Sequence, residues 1–251
     1  MPHWVSLLLL LPAGVFAGVV NTIAGGGSFV TLPLLMLYGL PAQVANGSNR
    51  VAILMQTAFA SQLYDRHTRL DRRALALLLA PLLPGALLGA YLASTISPES
   101  FRGAVGALFL LFTALLVLNR KRLLRTPAAK ARAPVAGTVV FFLVGVYGGF
   151  LQAGVGVLLL LTMSAFLGRD LAGSNGLKQA VVAAWTLPVV VWFAYEGQVS
   201  WVPGLILGVG NLLGAWIGAK MAIAKGNRLI FGVLIAVMTA TGLHLLASSL
   251  L

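Results

Sequence analysis

Two interruptions in apolar sequence hold the residue types best suited to chemistry. The first is "VVNTIAGGGSFVTLPLL", residues 19–35, with Asn21, Gly25, Gly26, Gly27 and Ser28. The second is "GVYGGFLQAGVGVLLLL" from Gly145, with Gln152, Gly154 and Gly156. Each glycine costs a helix interior about 1 kcal/mol relative to alanine, so these stretches unwind. Unwinding bares backbone N–H groups, and a helix restarting at Ser28 and Phe29 places the positive end of its dipole there. Such an end attracts anions. A polar cluster follows each interruption: Asn46, Ser48, Asn49 and Arg50 in "ANGSNR", and Ser174, Asn175 and Lys178 in "AGSNGLK". Amides and hydroxyls donate hydrogen bonds to oxyanions. Arginine adds two parallel N–H bonds and lysine a point charge. Ser and Asn in these clusters also suit helix N-capping, which is compatible with ligand binding. The chemistry common to all of these residues is recognition of a small oxyanion.

The remaining titratable residues argue against other chemistries. The only acids are Asp65, Asp71, Glu99, Asp170 and Glu196, all in expected loops or at span ends. Cation carriers commonly place a carboxylate at membrane depth. His3, His67 and His244 lack metal-ligand spacing, and there is no cysteine, so no metal and no cofactor is expected. No H-E-x-x-H motif, nucleophile–base pair or buried aspartate dyad is present, which disfavours an intramembrane enzyme. The glycines lack the strand–loop–helix setting of a nucleotide loop. A divalent or transition-metal cation transporter, an enzyme and a structural membrane protein are the weaker alternatives.

The elements that position these residues are membrane spans. Of 251 residues, 59% are hydrophobic and 9% charged, with a mean hydropathy of +0.97; soluble domains carry about 25% charged residues. Trp4–Ala24, Val44–Tyr64, Ala74–Ile96, Phe101–Asn119, Val135–Ala153, Gly176–Tyr195, Trp201–Ala222 and Arg228–Leu246 read as eight full spans. Ser28–Leu40 and Val155–Gly168 are two short, glycine-broken segments. The letters repeat. "GVVNTIAGGG" from Gly18 matches "GVYGGFLQAG" from Gly145 at an offset of 127, and "PGALLGAYLA" from Pro84 matches "LGAWIGAKMA" from Leu213 at 129. Gly85/Gly89 and Gly214/Gly218 are GxxxG pairs suited to helix packing. The expected fold is an all-α polytopic membrane protein of two inverted repeats, 1–119 and 135–251, of about five segments each, joined by a basic cytoplasmic linker, 120–134.

The net charge of +12 supports that arrangement rather than a nucleic-acid partner. With 65–73, 120–134, 168–175 and 223–227 inside, all but three of the 17 Lys and Arg lie in or beside cytoplasmic loops. The three are Arg50, Arg102 and Lys178. Both termini then face the periplasm. Short segments broken by glycine at matching positions of inverted repeats are a signature of secondary transporters, and the breaks mark the binding site.

These motifs, with "GLPAQVANGSNRVA", "GLKQ" and "EGQVSWVPG", resemble those of the TauE/SafE, or sulfite exporter, family of anion permeases over nearly the full chain. The second half departs from the usual glycine triplet with "QAGVG", which breaks strict symmetry between the half-sites. The resemblance implies export of a small sulfur-containing anion, sulfite or an organosulfonate such as sulfoacetate, across the bacterial inner membrane. The partners expected are that anion and the lipid bilayer, with room for a homodimer. Which anion moves, and with what coupling ion, is left open by these motifs.

Overall fold

The computed structural model describes residues 3–97, 99–101, 103–104, 107, 134–168 and 171–224. Among these the elements are helical: α1 (His3–Ile23), α2 (Ser28–Leu37), α3 (Ala42–Thr68), α4 (Arg72–Thr95), α5 (Pro134–Phe150), α6 (Val155–Leu167), α7 (Leu171–Tyr195) and α8 (Trp201–Ala224). Most of the expected Phe101–Asn119 span, the linker 120–133 and the Arg228–Leu246 span lie outside the described residues.

Both interruptions are real breaks. Gly25 takes φ +91° between α1 and α2, and Gln152 and Gly154 take φ +65° and +74° between α5 and α6. These left-handed values end a helix because its hydrogen-bond ladder cannot continue through them. The following helices, α2 and α6, have only 10 and 13 residues. At about 1.5 Å per residue neither reaches across a bilayer core.

One expectation is corrected. Asn46, Ser48 and Asn49 do not cap a helix after a loop; they lie inside α3, which begins at Ala42 behind an N-cap Pro41 with φ −54° and ψ 148°. Proline's fixed φ starts the helix earlier than a polar cap would. Ser174 and Asn175 likewise lie inside α7. Arg50 and Lys178 therefore project from regular helix.

Glycines set the helix pairings. A Cβ on Gly89 of α4 would stand 2.7 Å from the Phe150 nitrogen at the end of α5, and one on Gly85 3.0 Å from the Val146 nitrogen. On the other side, a Cβ on Gly214 of α8 would stand 2.8 Å from the Val19 nitrogen of α1, and one on Gly18 2.8 Å from the Asn211 Cα. Only glycine permits such backbone contact. Thus α4 of the first half packs on α5 of the second, and α8 of the second packs on α1 of the first. Between these pairs α3 packs against α7.

The polarity of the molecule is that of a protein in lipid. Large apolar residues cover its exterior, including Leu77 at 66%, Leu143 at 57% and Val191 at 62% exposure. The interior instead holds Asn46, Ser48, Arg50, Gln56, Thr57, Ser174, Asn175, Lys178 and Gln179, all buried. In a bilayer the apolar surface is the solvated one, and polar groups must be satisfied inside. Arg72–Thr95, Ser174–Tyr195 and Trp201–Ala224 are each long and apolar enough to cross, with mean hydropathies of 2.0, 1.5 and 1.6. The 27 residues of α3 are long enough too, but its inward face is polar.

Candidate functional site

The two breaks meet back to back. A Cβ on Gly156 would lie 2.6 Å from the Gly25 Cα, and one on Gly25 would run into the Gly156 backbone. Glycine at both positions is therefore a requirement of the contact. Around it lies a small cavity bounded by Asn21, Gly25, Ser28, Gln152, Val155 and Gly156 from the breaks, by Ile53, Gln56 and Thr57 from α3, and by Lys178, Gln179 and Val182 from α7. The centre of a water molecule has about 20 Å³ in which to move there, more than the roughly 10–15 Å³ that one water needs. Lys178 is the one formally charged residue of that lining.

Each break is stitched by polar side chains. Asn21 Oδ1 accepts from the Gly27 N–H at 2.6 Å, which satisfies one of the orphan donors at the start of α2. Asn21 Nδ2 donates to Gln56 Oε1 at 3.2 Å, and Gln56 Nε2 donates to Thr22 Oγ1 at 3.2 Å. At the second break Gln152 accepts from Arg50 at 3.2 Å and donates through Nε2 to Thr186 Oγ1 at 2.8 Å. The Tyr147 hydroxyl donates to the Ala153 carbonyl.

The two cations play parallel parts. Lys178 Nζ donates to the carbonyls of Asn21 and Thr22, both at 3.2 Å. Arg50 donates through Nη1 to Gly148 O at 3.0 Å and through Nη2 to Gly149 O at 2.5 Å. A cation near the last carbonyls of a helix offsets the negative end of its dipole. Arg50 from α3 does this for α5, and Lys178 from α7 does it for α1. The guanidinium also sits 5.0 Å from the Phe193 ring centroid, and its Nε has no hydrogen-bond partner among the described residues.

Of the residues that the sequence singled out, Asn21, Gly25, Ser28, Gln152, Gly156 and Lys178 line the cavity. Gly26, Gly27 and Gly154 shape the breaks without lining it. Arg50 stands behind Gln152, its terminal nitrogens directed at backbone carbonyls. The remaining members of the two polar clusters sit further away. Asn46 Nδ2 donates to Phe150 O at 2.9 Å, Ser48 Oγ accepts from Ser200 N at 2.8 Å, and Asn49 Oδ1 accepts from Thr31 Oγ1 at 2.7 Å. Asn175 Nδ2 donates to the Tyr64 hydroxyl at 2.8 Å, and Ser174 Oγ has no hydrogen-bond partner among the described residues. Sequence reasoning missed Gln56, Thr57 and Gln179. Lone amides in apolar spans were the available signal, because an amide facing lipid is costly and so belongs inside.

An apolar exterior, a polar interior and paired broken helices beside a cavity with a buried polar lining define a multi-pass helical membrane protein. The family model for the sulfite exporter TauE/SafE matches residues 10–245, and the chain belongs to that family. A "probable membrane transporter protein" of Haemophilus influenzae is 29% identical over 231 residues, covering 89% of this chain and 88% of the relative. "Probable membrane transporter protein ORF9" of a Sinorhizobium species is 29% identical over 246 residues, covering 96% and 92%. "Probable membrane transporter protein YfcA" of Escherichia coli K12 is 26% identical over 249 residues, covering 96% and 90%. No solved structure matches the chain significantly.

Proposed function

We propose that this protein is a secondary transporter that exports a small sulfur-containing anion, sulfite or an organosulfonate such as sulfoacetate, across the bacterial inner membrane. The anion binds in the central cavity and the halves rock about it in alternating access. One observation carries the reading: two broken helices from opposite halves abut at Gly25 and Gly156, beside a cavity whose one charged lining residue is Lys178. Helix starts at Ser28 and Val155, the lysine, and the amides of Asn21, Gln56, Gln152 and Gln179 form a donor-rich surround for an oxyanion. The names of the relatives favour membrane transport, and the family description, a sulfite exporter, favours a sulfur oxyanion.

The halves are inverted repeats, 1–119 and 135–251, with both termini periplasmic and 120–134 in the cytoplasm. Supporting this, Lys178 holds the carbonyls of Asn21 and Thr22 while Arg50 holds those of Gly148 and Gly149, and the two pairs are related by the offset that relates Gly18 to Gly145. The reciprocal α4–α5 and α1–α8 pairings fit the same two-fold relation.

The test is flux. Purified protein in liposomes is expected to move ³⁵S-sulfite, with unlabelled sulfite and sulfoacetate competing. Absence of flux with every sulfur oxyanion, together with uptake of a divalent cation, would overturn the proposal.

A further inference from the structure

Carriers built on broken helices hold coupling cations at the negative C-terminal ends of half-helices and at unwound carbonyls. In this chain those places are taken by its own side chains. The last carbonyls of α1, at Asn21 and Thr22, receive Lys178 Nζ at 3.2 Å each, and Thr22 O also receives Gln179 Nε2 at 2.9 Å. The last carbonyls of α5, at Gly148 and Gly149, receive the Arg50 guanidinium at 3.0 and 2.5 Å. Both cations are buried, with 0% and 1% exposure for Arg50 and Lys178. Each comes from the helix of the opposite half that lies across the centre of the molecule.

We propose that Arg50 and Lys178 are tethered replacements for coupling cations, so that the anion crosses without sodium or another metal cation. This rests on the transport reading above and specifies its energetics. A free cation brought to either set of carbonyls would meet a resident like charge a few ångströms away, which opposes its binding. The cavity offers no compensating carboxylate, since its polar side chains other than Lys178 are the amides and hydroxyls of Asn21, Ser28, Gln56, Thr57, Gln152 and Gln179. Those groups can hydrate an anion, but they supply no negative charge to hold a sodium ion. Arg50 is then a positioning residue, which holds the α5 end through Gly148 and Gly149 and orients Gln152 at the cavity, while Lys178 both caps α1 and faces the ligand.

Flux of ³⁵S-sulfite into liposomes decides the matter when measured in sodium, potassium, lithium or choline salts at equal ionic strength and a clamped potential. Initial rates are expected to agree within about twofold in all four. With potential imposed, the steady-state ratio is expected to change tenfold for about each 59 mV per charge moved, as for an uncoupled ion. In detergent, sodium is expected to shift the melting temperature no more than choline does. Fivefold or greater stimulation of flux by sodium or lithium, or a sodium-specific rise in melting temperature, would overturn the inference while leaving transport intact. Lys178→Met is expected to lower flux at least tenfold, with partial recovery in Lys178→Arg. Undiminished flux in well-folded Lys178→Met protein would also overturn it. Failure of wild-type protein to move sulfite in any salt would instead remove the transport reading, and the inference with it.

Discussion

Gln152 holds its backbone at φ +65° while its side chain bridges Arg50 and Thr186. A left-handed conformation costs a non-glycine residue roughly 1–2 kcal/mol, and such strain is retained where the surroundings over-determine it. Gln152→Gly relieves the backbone and deletes the bridge. Its melting temperature is expected to stay near that of wild type, as strain relief offsets the lost hydrogen bonds, whereas sulfite flux falls tenfold or more. Equal loss of stability and flux would show that the side chain is structural only. At the contact of the breaks, Gly156→Ala must push a methyl toward the Gly25 Cα 2.6 Å away. It is expected to destabilise by about 1–3 kcal/mol and to abolish flux. Gly103→Ala, where nothing among the described residues lies within 4 Å, is the control and is expected to be close to neutral. Gly26→Leu, in the buried centre of the first break, is expected to insert but not transport.

At the scale of elements, the question is what holds a broken helix in register. For α5 the answer includes Arg50, whose two terminal nitrogens bond Gly148 and Gly149 across the α3–α5 boundary. Hydrogen bonds to a charged group contribute about 1.5–3 kcal/mol each. Arg50→Gln is therefore expected to lower the melting temperature in detergent and nearly to remove flux. Arg50→Lys, which keeps the charge but loses the fork, is expected to fall between them. Wild-type flux and melting in Arg50→Gln would refute the capping role. Glycine packing positions the outer helices. Gly149 lies against the Ala86 backbone and Gly214 against Val15 and Val19, so Gly149→Val and Gly214→Val are each expected to yield aggregated protein on size exclusion.

Across the whole molecule, α8 carries Trp201 at one end and, near the other, Trp216 with Lys220 Nζ 3.7 Å from its ring centroid. Aromatic residues settle at membrane interfaces and lysines on the cytoplasmic side, so the proposed topology puts the Ala224 end of α8 in the cytoplasm. The chain has no cysteine; Ala224→Cys therefore gives a single reporter. Labelling is expected only after the cells are opened, and labelling by an impermeant reagent in sealed cells would invert the topology.

Helix existence, the two breaks and the membrane character were legible in sequence, because apolar length, glycine clusters and charge placement act locally or in aggregate. The starts at Ser28, Val155 and Trp201 were read to the residue, since a break or turn precedes each. The span read from Val44 starts within two residues of α3 at Ala42, but the capping role given to Asn46, Ser48 and Asn49 was wrong, because the fold gives them distant partners in Phe150, Ser200 and Thr31. Arg50 and Lys178 stood out in sequence as cations that topology does not explain. Only the tertiary structure decided that one grips α5 and the other α1, because those contacts span 98–99 and 156–157 residues. A pairing over such distances depends on how helices pack in three dimensions, and a side chain's type does not encode which carbonyl it will meet.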